Sequence, residues 1–365
     1  MKKILILLPI LILPLWHSDH SWAGEIILNG QASTWTVFND KRQVGVRYIP
    51  ELRILHPLAE GMDIDAEISL NSFIWAPIDS PSDFDAVMKL YRSWLRYSTA
   101  RFEMRLGLQK INFGPAKVIR TLMWFDRLDL RDPLEFTEGV YAVLGRYYFL
   151  NNANIWIWGL YGNEDIKGLE AFKTDKNRME FGGRYQFPLP KGEMALSFNR
   201  RYVDPEDWNR KMSDLLSNGL ENRYAIDGVW DVGIGLWFEA SIGEIKIESS
   251  QQMWRKLLTI GSDYTFEFGI HLLCEHFIQS TGSEIDRSDE INNFSALSAD
   301  YRINIVDSIN AIGYYDWDQE KVYSYIGWKR TYDNWLMNLM AFSSREDGTG
   351  AFNGKGMQCM LTYNH

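Results

Sequence analysis

The feature that most constrains this chain is a two-residue alternation of apolar and polar side chains, which begins after Ala23 and continues to its end. Segment 101–112 puts Phe102, Met104, Leu106 and Leu108 on one face and Arg101, Glu103, Arg105 and Gln109 on the other. Segment 178–187 sets Met179, Phe181, Tyr185 and Phe187 against Arg178, Glu180, Arg184 and Gln186. Segment 43–54 sets Val44, Val46, Tyr48, Leu52 and Ile54 against Gln43, Arg47, Glu51 and Arg53, and segment 63–74 repeats the pattern with Ile64, Ala66, Ile68, Leu70 and Ile74 against Asp63, Asp65, Glu67 and Asn71. A period of two is the signature of a β-strand. Each segment has roughly the 9–11 residues that a tilted strand needs to cross a bilayer. The alternation is less regular near 153–162, 305–316 and 333–343.

The connections alternate as well. Tight turns are expected near Leu58–Met62, Ser98–Ala100, Asn151–Ala153, Pro188–Gly192, Asp231–Gly233, Phe266, Ile303–Asn304 and Tyr332–Asp333. Longer connections fall between them, near 76–86, 113–138, 164–177, 203–221, 244–252, 279–291 and 344–353, with short exceptions near 39–42 and 317–320. Alternating tight and long connections imply a meander closed on itself. The expected fold is all-β: a transmembrane antiparallel up-and-down β-barrel of about eighteen strands, sixteen being the alternative count, with both termini on the periplasmic rim. An exported soluble β-sandwich is the competing architecture, but it would rarely need so many strands of this length.

The N-terminus reads as a secretory leader. Lys2 and Lys3 precede an apolar run from Ile4 to Trp16 that Pro9 and Pro14 interrupt, and Ser21-Trp22-Ala23 supplies small residues at a cleavage site. Cleavage after Ala23 leaves a barrel domain over 24–365. The alternative, a membrane anchor, falls short of the roughly 20 apolar residues that span a bilayer. These readings place the chain in the outer membrane of a Gram-negative-type cell, with outer-membrane lipid and the barrel-assembly machinery as partners.

Composition agrees. The chain holds 15 Trp, 18 Tyr and 19 Phe, many for an exported soluble globule but natural for aromatic girdles at two membrane interfaces. Cys274 and Cys359 fall on strands that are not expected to be neighbours, so free thiols are expected. A net charge of −10 argues against non-specific nucleic-acid binding. No motif asks for a cofactor or a metal.

The longest connection, Phe113 to Glu138, has 26 residues. A loop of this length is usually functional or folded into something, and in a wide barrel it belongs in the lumen. It carries Arg120, Asp126, Arg127, Asp129, Arg131, Asp132, Glu135 and Glu138 beside the apolar run Leu122-Met123-Trp124-Phe125. By parity the surrounding walls present Arg92, Arg96, Arg101, Arg105, Arg146, Arg178 and Arg184 to the lumen. Acidic loop residues opposite wall arginines would set a transverse field and so ion preference. The same pairs would also pin the loop to the wall, and both readings stay open.

The stretch Gly107-Leu-Gln-Lys-Ile-Asn-Phe-Gly114, followed by Phe125-Asp126 and Arg131-Asp132-Pro133-Leu134, resembles the corresponding region of porin-like outer-membrane barrels related to the alginate-export porins. In motif the resemblance covers roughly positions 100–150. It implies a single barrel of this strand number with an internal constriction, and names no substrate.

The function expected from all of this is passage of small polar or anionic solutes through an arginine-lined lumen narrowed by loop 113–138. The rival classes are a structural, adhesion or receptor barrel acting through loops 203–221 and 279–291, and a barrel hydrolase. For the hydrolase, His271 shares its polar face with Glu267, Glu275 and Gln279, while His276 points to lipid. No Ser or Cys motif accompanies them, and the spacing of His271 and Glu275 is too loose for a dedicated zinc site. No catalytic residue is assigned.

Overall fold

The computed structural model describes residues 24–127, 132, 134, 136–204, 219–247, 251–344, 352 and 354–365. The leader at 1–23, Asp129, Arg131 and Glu135 of the long loop, and most of loop 203–221 lie outside them. The strands in chain order are β1 (Glu25–Phe38), β2 (Gln43–Ala59), β3 (Met62–Pro77), β4 (Asp85–Thr99), β5 (Phe102–Gln109), β6 (Val140–Tyr148), β7 (Asn154–Leu160), β8 (Lys173–Thr174), β9 (Glu180–Leu189) and β10 (Gly192–Asp204). They continue with β11 (Gly219–Asp231), β12 (Gly235–Ile247), β13 (Gln251–Thr265), β14 (Ile270–Gly282), β15 (Glu290–Arg302), β16 (Asp307–Asp316), β17 (Lys321–Tyr332), β18 (Trp335–Ser343) and β19 (Lys355–Asn364). The two-residue β8 only bridges to β10. The other eighteen are the staves of one closed antiparallel barrel.

Every stave pairs with its sequence neighbour, and β1 also pairs with β19, from Gln31 opposite Asn364 to Phe38 opposite Met357. Closure removes the free edges that an open sheet would carry into lipid. The tight turns fall where the sequence placed them. Several use left-handed residues, among them Asn152, Lys191 and Asp333. Several long connections are shorter than read because the strands run further: β12 reaches Ile247 and β13 starts at Gln251, and β14 reaches Gly282 and β15 starts at Glu290.

The side-chain alternation resolves into two surfaces. Phe102, Leu106, Phe181 and Tyr185 are exposed on the outside, whereas Arg184 and Asp65 are buried inside. Aromatic pairs ring the short-turn rim: Tyr147 with Phe149 at 5.0 Å, Tyr264 with Phe266 at 4.9 Å, and Trp335 with Tyr363 at 4.8 Å between centroids. This is the amphipathic girdle expected at a membrane interface. Cys274 and Cys359 are free, as expected.

The long loop builds a buried core inside the barrel. A core of Ile111, Phe113, Leu122, Trp124 and Phe125 from the long loop packs on Val140, Ala142 and Leu144 of β6 and on Trp158 and Leu160 of β7. Phe113 stacks on Trp158 at 5.7 Å, and Phe125 meets the same indole edge-on at 5.3 Å. Burial of such rings is worth about 3–5 kcal/mol each against alanine, enough to hold an irregular segment inside a barrel.

Candidate functional site

The long loop leaves the wall after Gln109, where β5 ends; two residues earlier Gly107 has a φ of +117°, one that L side chains avoid, and a Cβ there would collide with the Ser93 carbonyl oxygen. Of the segment that follows, the described residues 110–127 cross the lumen and dock on β12 to β14. Glu239 of β12 accepts the main-chain N–H groups of Ala116 at 2.9 Å and Leu122 at 2.8 Å. Glu275 of β14 accepts those of Lys117 (2.7 Å), Val118 (3.0 Å) and Ile119 (2.6 Å), and also the Trp237 indole N–H at 3.0 Å. Thr259 of β13 bonds the Thr121 hydroxyl and donates to the Ile119 carbonyl at 2.8 Å. Lys117 reaches Asp263, which also bonds His271 at 3.2 Å. A buried carboxylate and a row of unpaired backbone N–H groups satisfy each other's hydrogen-bonding needs.

These anchors are of the opposite polarity to the contacts expected from the sequence. There, loop carboxylates were to meet wall arginines; here, wall carboxylates hold the loop's main chain. Asp126 pairs instead with Arg120 of the same loop at 3.3 Å, and Arg120 also bonds Asn112. Asp132 does meet a wall arginine, but it is Arg47 of β2, at 3.6 Å. Arg127 lines a cavity at the long-connection side.

The wall arginines are mostly engaged by the wall itself. Arg184 makes a bidentate pair with Asp227 at 2.6 and 2.8 Å. Arg96 bonds Asp65, while Arg105 at 3.2 Å and Arg146 at 3.5 Å share Glu103. Arg105 also lies over Trp94, and Arg146 over Trp156 at 3.9 Å. Arg92 donates to the Thr137 carbonyl of the loop at 2.8 Å. Arg178 is not on the wall: β9 begins at Glu180, so Arg178 sits exposed in the preceding connection, 3.6 Å from Asp175. Elsewhere in the interior, the connection ahead of β9 contributes Glu170 to a buried cluster with Arg201, Glu221 and Arg223.

Sequence parity missed one residue that matters. Between Ser69 and Leu70 of β3 the register with β4 slips, leaving Tyr91 without a partner while Arg92 pairs with Ser69 and Leu90 with Leu70. Such a bulge re-aims side chains. It sends Tyr91 and Arg92 inward together, and Tyr91 meets Phe136 of the loop edge-on at 5.7 Å. Two cavities flank this pair. One, about 550 Å³, is lined by long-connection residues such as Asn163 and Glu164. The other, about 410 Å³, is lined by Asn334 and His365 at the short-turn rim. Tyr91 and Phe136 line both.

The likeness of this chain to known proteins is one of structure. No family model and no curated protein sequence matches the chain. Solved structures do. OmpT, an outer membrane protein of Vibrio cholerae in its trimer form, aligns over 94% of this chain and 99% of its own at 9% identity, with a TM-score of 0.56. This chain has the fold of the outer-membrane porin barrels. An anion-selective porin from Comamonas acidovorans aligns over 94% of this chain and 100% of its own, at 11% identity and a TM-score of 0.53. OmpF of Salmonella typhi, in complex with daunomycin, covers 93% and 97% at 10% identity with a TM-score of 0.51. At these identities the porin likeness is one of fold.

Proposed function

We propose that this protein is an outer-membrane channel for small polar solutes, exported on a leader cleaved after Ala23. One observation carries the reading: two cavities, one toward each rim, share the Tyr91–Phe136 pair as a common wall. Open space on both sides of a narrow waist is the arrangement a passive channel requires. The lumenal loop forms the constriction, with Arg120, Asp126, Arg127 and Asp132 as its charged members among the described residues.

Charge balance favours a mild preference for anions over a strong one. Arg53, Arg92, Arg96, Arg105 and Arg146 face four carboxylates, Glu51, Asp65, Glu67 and Glu103, whereas Arg184 is neutralised by Asp227. The motif resemblance over 100–150 to barrels related to the alginate-export porins sits within the same reading.

The test is reconstitution in a planar bilayer under a salt gradient. Discrete conductance steps with a reversal potential displaced modestly toward the anion side are expected. A correctly folded barrel that gives no conductance and no liposome swelling would overturn the channel and leave an adhesion or receptor barrel. Mass spectrometry of protein from the membrane should find Gly24 as the first residue.

A further inference from the structure

We infer that the waist is a stacking station for ring-shaped, uncharged polyols, that is, saccharides. The station rests on the channel reading above and gives it a solute class. It is built from Tyr91, Phe136 and Arg47.

The geometry is specific. The β4 bulge turns Tyr91 out of the ladder toward the lumen. The Arg92 guanidinium carbon lies 4.0 Å over the Tyr91 ring, and that of Arg47 lies 4.3 Å over the Phe136 ring. Cation–π contacts of this kind fix the orientation of both rings. Two aromatic rings are thus held at 85° to each other where the two cavities meet. Each guanidinium covers one face of its ring and the edge-on contact takes another, so one ring face stays open; an electron-rich face of this kind suits the C–H face of a pyranose, whose hydrogens are polarised by neighbouring oxygens.

The surrounding polar groups suit hydroxyls. Asn71 lines the cavity on the long-connection side; Gln31 and Asn364 line the other, where Gln31 donates to Asn364 and each keeps one end of its carboxamide for a further bond. Carboxamides both donate and accept, as hydroxyls do. On the long-connection side, Arg47 Nε and Asn71 Oδ1 are buried with no hydrogen-bond partner among the described residues. One is a donor and the other an acceptor, and a buried polar group left in this way calls for a partner. A sugar hydroxyl satisfies either. Asp132 compensates the charge of Arg47, so the waist does not demand an anion.

Maltose and the open-chain polyol sorbitol separate stacking from simple hydroxyl binding. In a planar bilayer, maltose should interrupt the wild-type current and sorbitol at equal concentration should not. Tyr91→Ala or Phe136→Ala should raise the half-blocking maltose concentration about tenfold, the value of one stacking contact. Tyr91→Phe should keep the block, since it keeps the ring. Heat-modifiable gel migration identical to wild type certifies that each variant is folded. Saturation-transfer NMR of maltose with the detergent-solubilised barrel reads the station independently of conductance. Binding that Tyr91→Ala removes, in a barrel that never conducts, supports the station and overturns the channel. Conductance without maltose block or binding overturns the station and keeps the channel. Equal responses to maltose and sorbitol, or block unchanged in Tyr91→Ala, also overturn the station.

Discussion

Glu275 on β14 accepts the main-chain N–H of Ile119 at 2.6 Å from a loop that left the wall nine strands earlier. The same carboxylate takes two further main-chain donors and an indole. Hydrogen bonds to a charged group are worth about 1.5–3 kcal/mol each, although they are not additive. Glu275→Ala should therefore lower barrel stability by about 3 kcal/mol or more, read as the shift of the unfolding midpoint in guanidinium. It should also expose 113–127 to protease. Glu275→Gln, which keeps one acceptor oxygen, should fall between the two.

The Arg184–Asp227 pair is buried, with side chains 5% and 4% exposed. Removing one partner of such a pair leaves an uncompensated charge and costs about 3–5 kcal/mol, whereas replacing both with apolar residues is often neutral. Arg184→Met should destabilise strongly, and Arg184→Met with Asp227→Leu should recover most of the loss in the same titration. Because the pair is closed on itself, the double variant should leave the reversal potential unchanged.

Glu103 is the carboxylate that three guanidiniums share. Glu103→Gln should therefore shift the reversal potential toward stronger anion preference. The shift should shrink as salt rises, since the Debye length falls from about 10 Å at 0.1 M to about 3 Å at 1 M. A shift toward cations would mean that the cluster does not face the conducted ions.

Face assignment is testable by chemistry. In a background carrying Cys274→Ser and Cys359→Ser, a membrane-impermeant thiol reagent should label Arg105→Cys faster than Leu106→Cys. Leu106 is 52% exposed on the outer surface, where lipid excludes the reagent, while Arg105 lines the interior. The reverse order would invert the barrel, because a one-residue slip moves every side chain to the other face.

Most of the fold was legible because a barrel writes itself twice, once in period-two alternation and once in alternating connection lengths. The site was legible only in part. The lumenal loop showed as a long stretch with charge and rings, yet its anchors did not. Glu275 read only as a polar neighbour of His271, and Glu239 drew no reading at all, because their partners are backbone N–H groups, which leave no trace in side-chain identity. Arg184 and Asp227 lie 43 residues apart, and no local pattern links them. Tyr91 was missed because parity counting assumes an unbroken ladder, and the bulge breaks it one residue before Arg92. Arg178 was misplaced for the simpler reason that strand ends are the least certain part of any such reading.

The seam between β1 and β19 has a kinetic meaning. Gln31 bonds Asn364 across 333 residues of chain, while every other stave pairing joins sequence neighbours. Hairpins of this kind nucleate early, because their ends are already close, and closing a long loop comes later. Zippering can thus run from stave to stave, but the ring shuts only when the first and last strands meet. Until then both carry bare hydrogen-bonding edges that lipid cannot satisfy. A substitution that weakens the Gln31–Phe38 register against Met357–Asn364 should slow insertion far more than the same change in an internal hairpin, and should leave an open, aggregation-prone sheet as the species that accumulates.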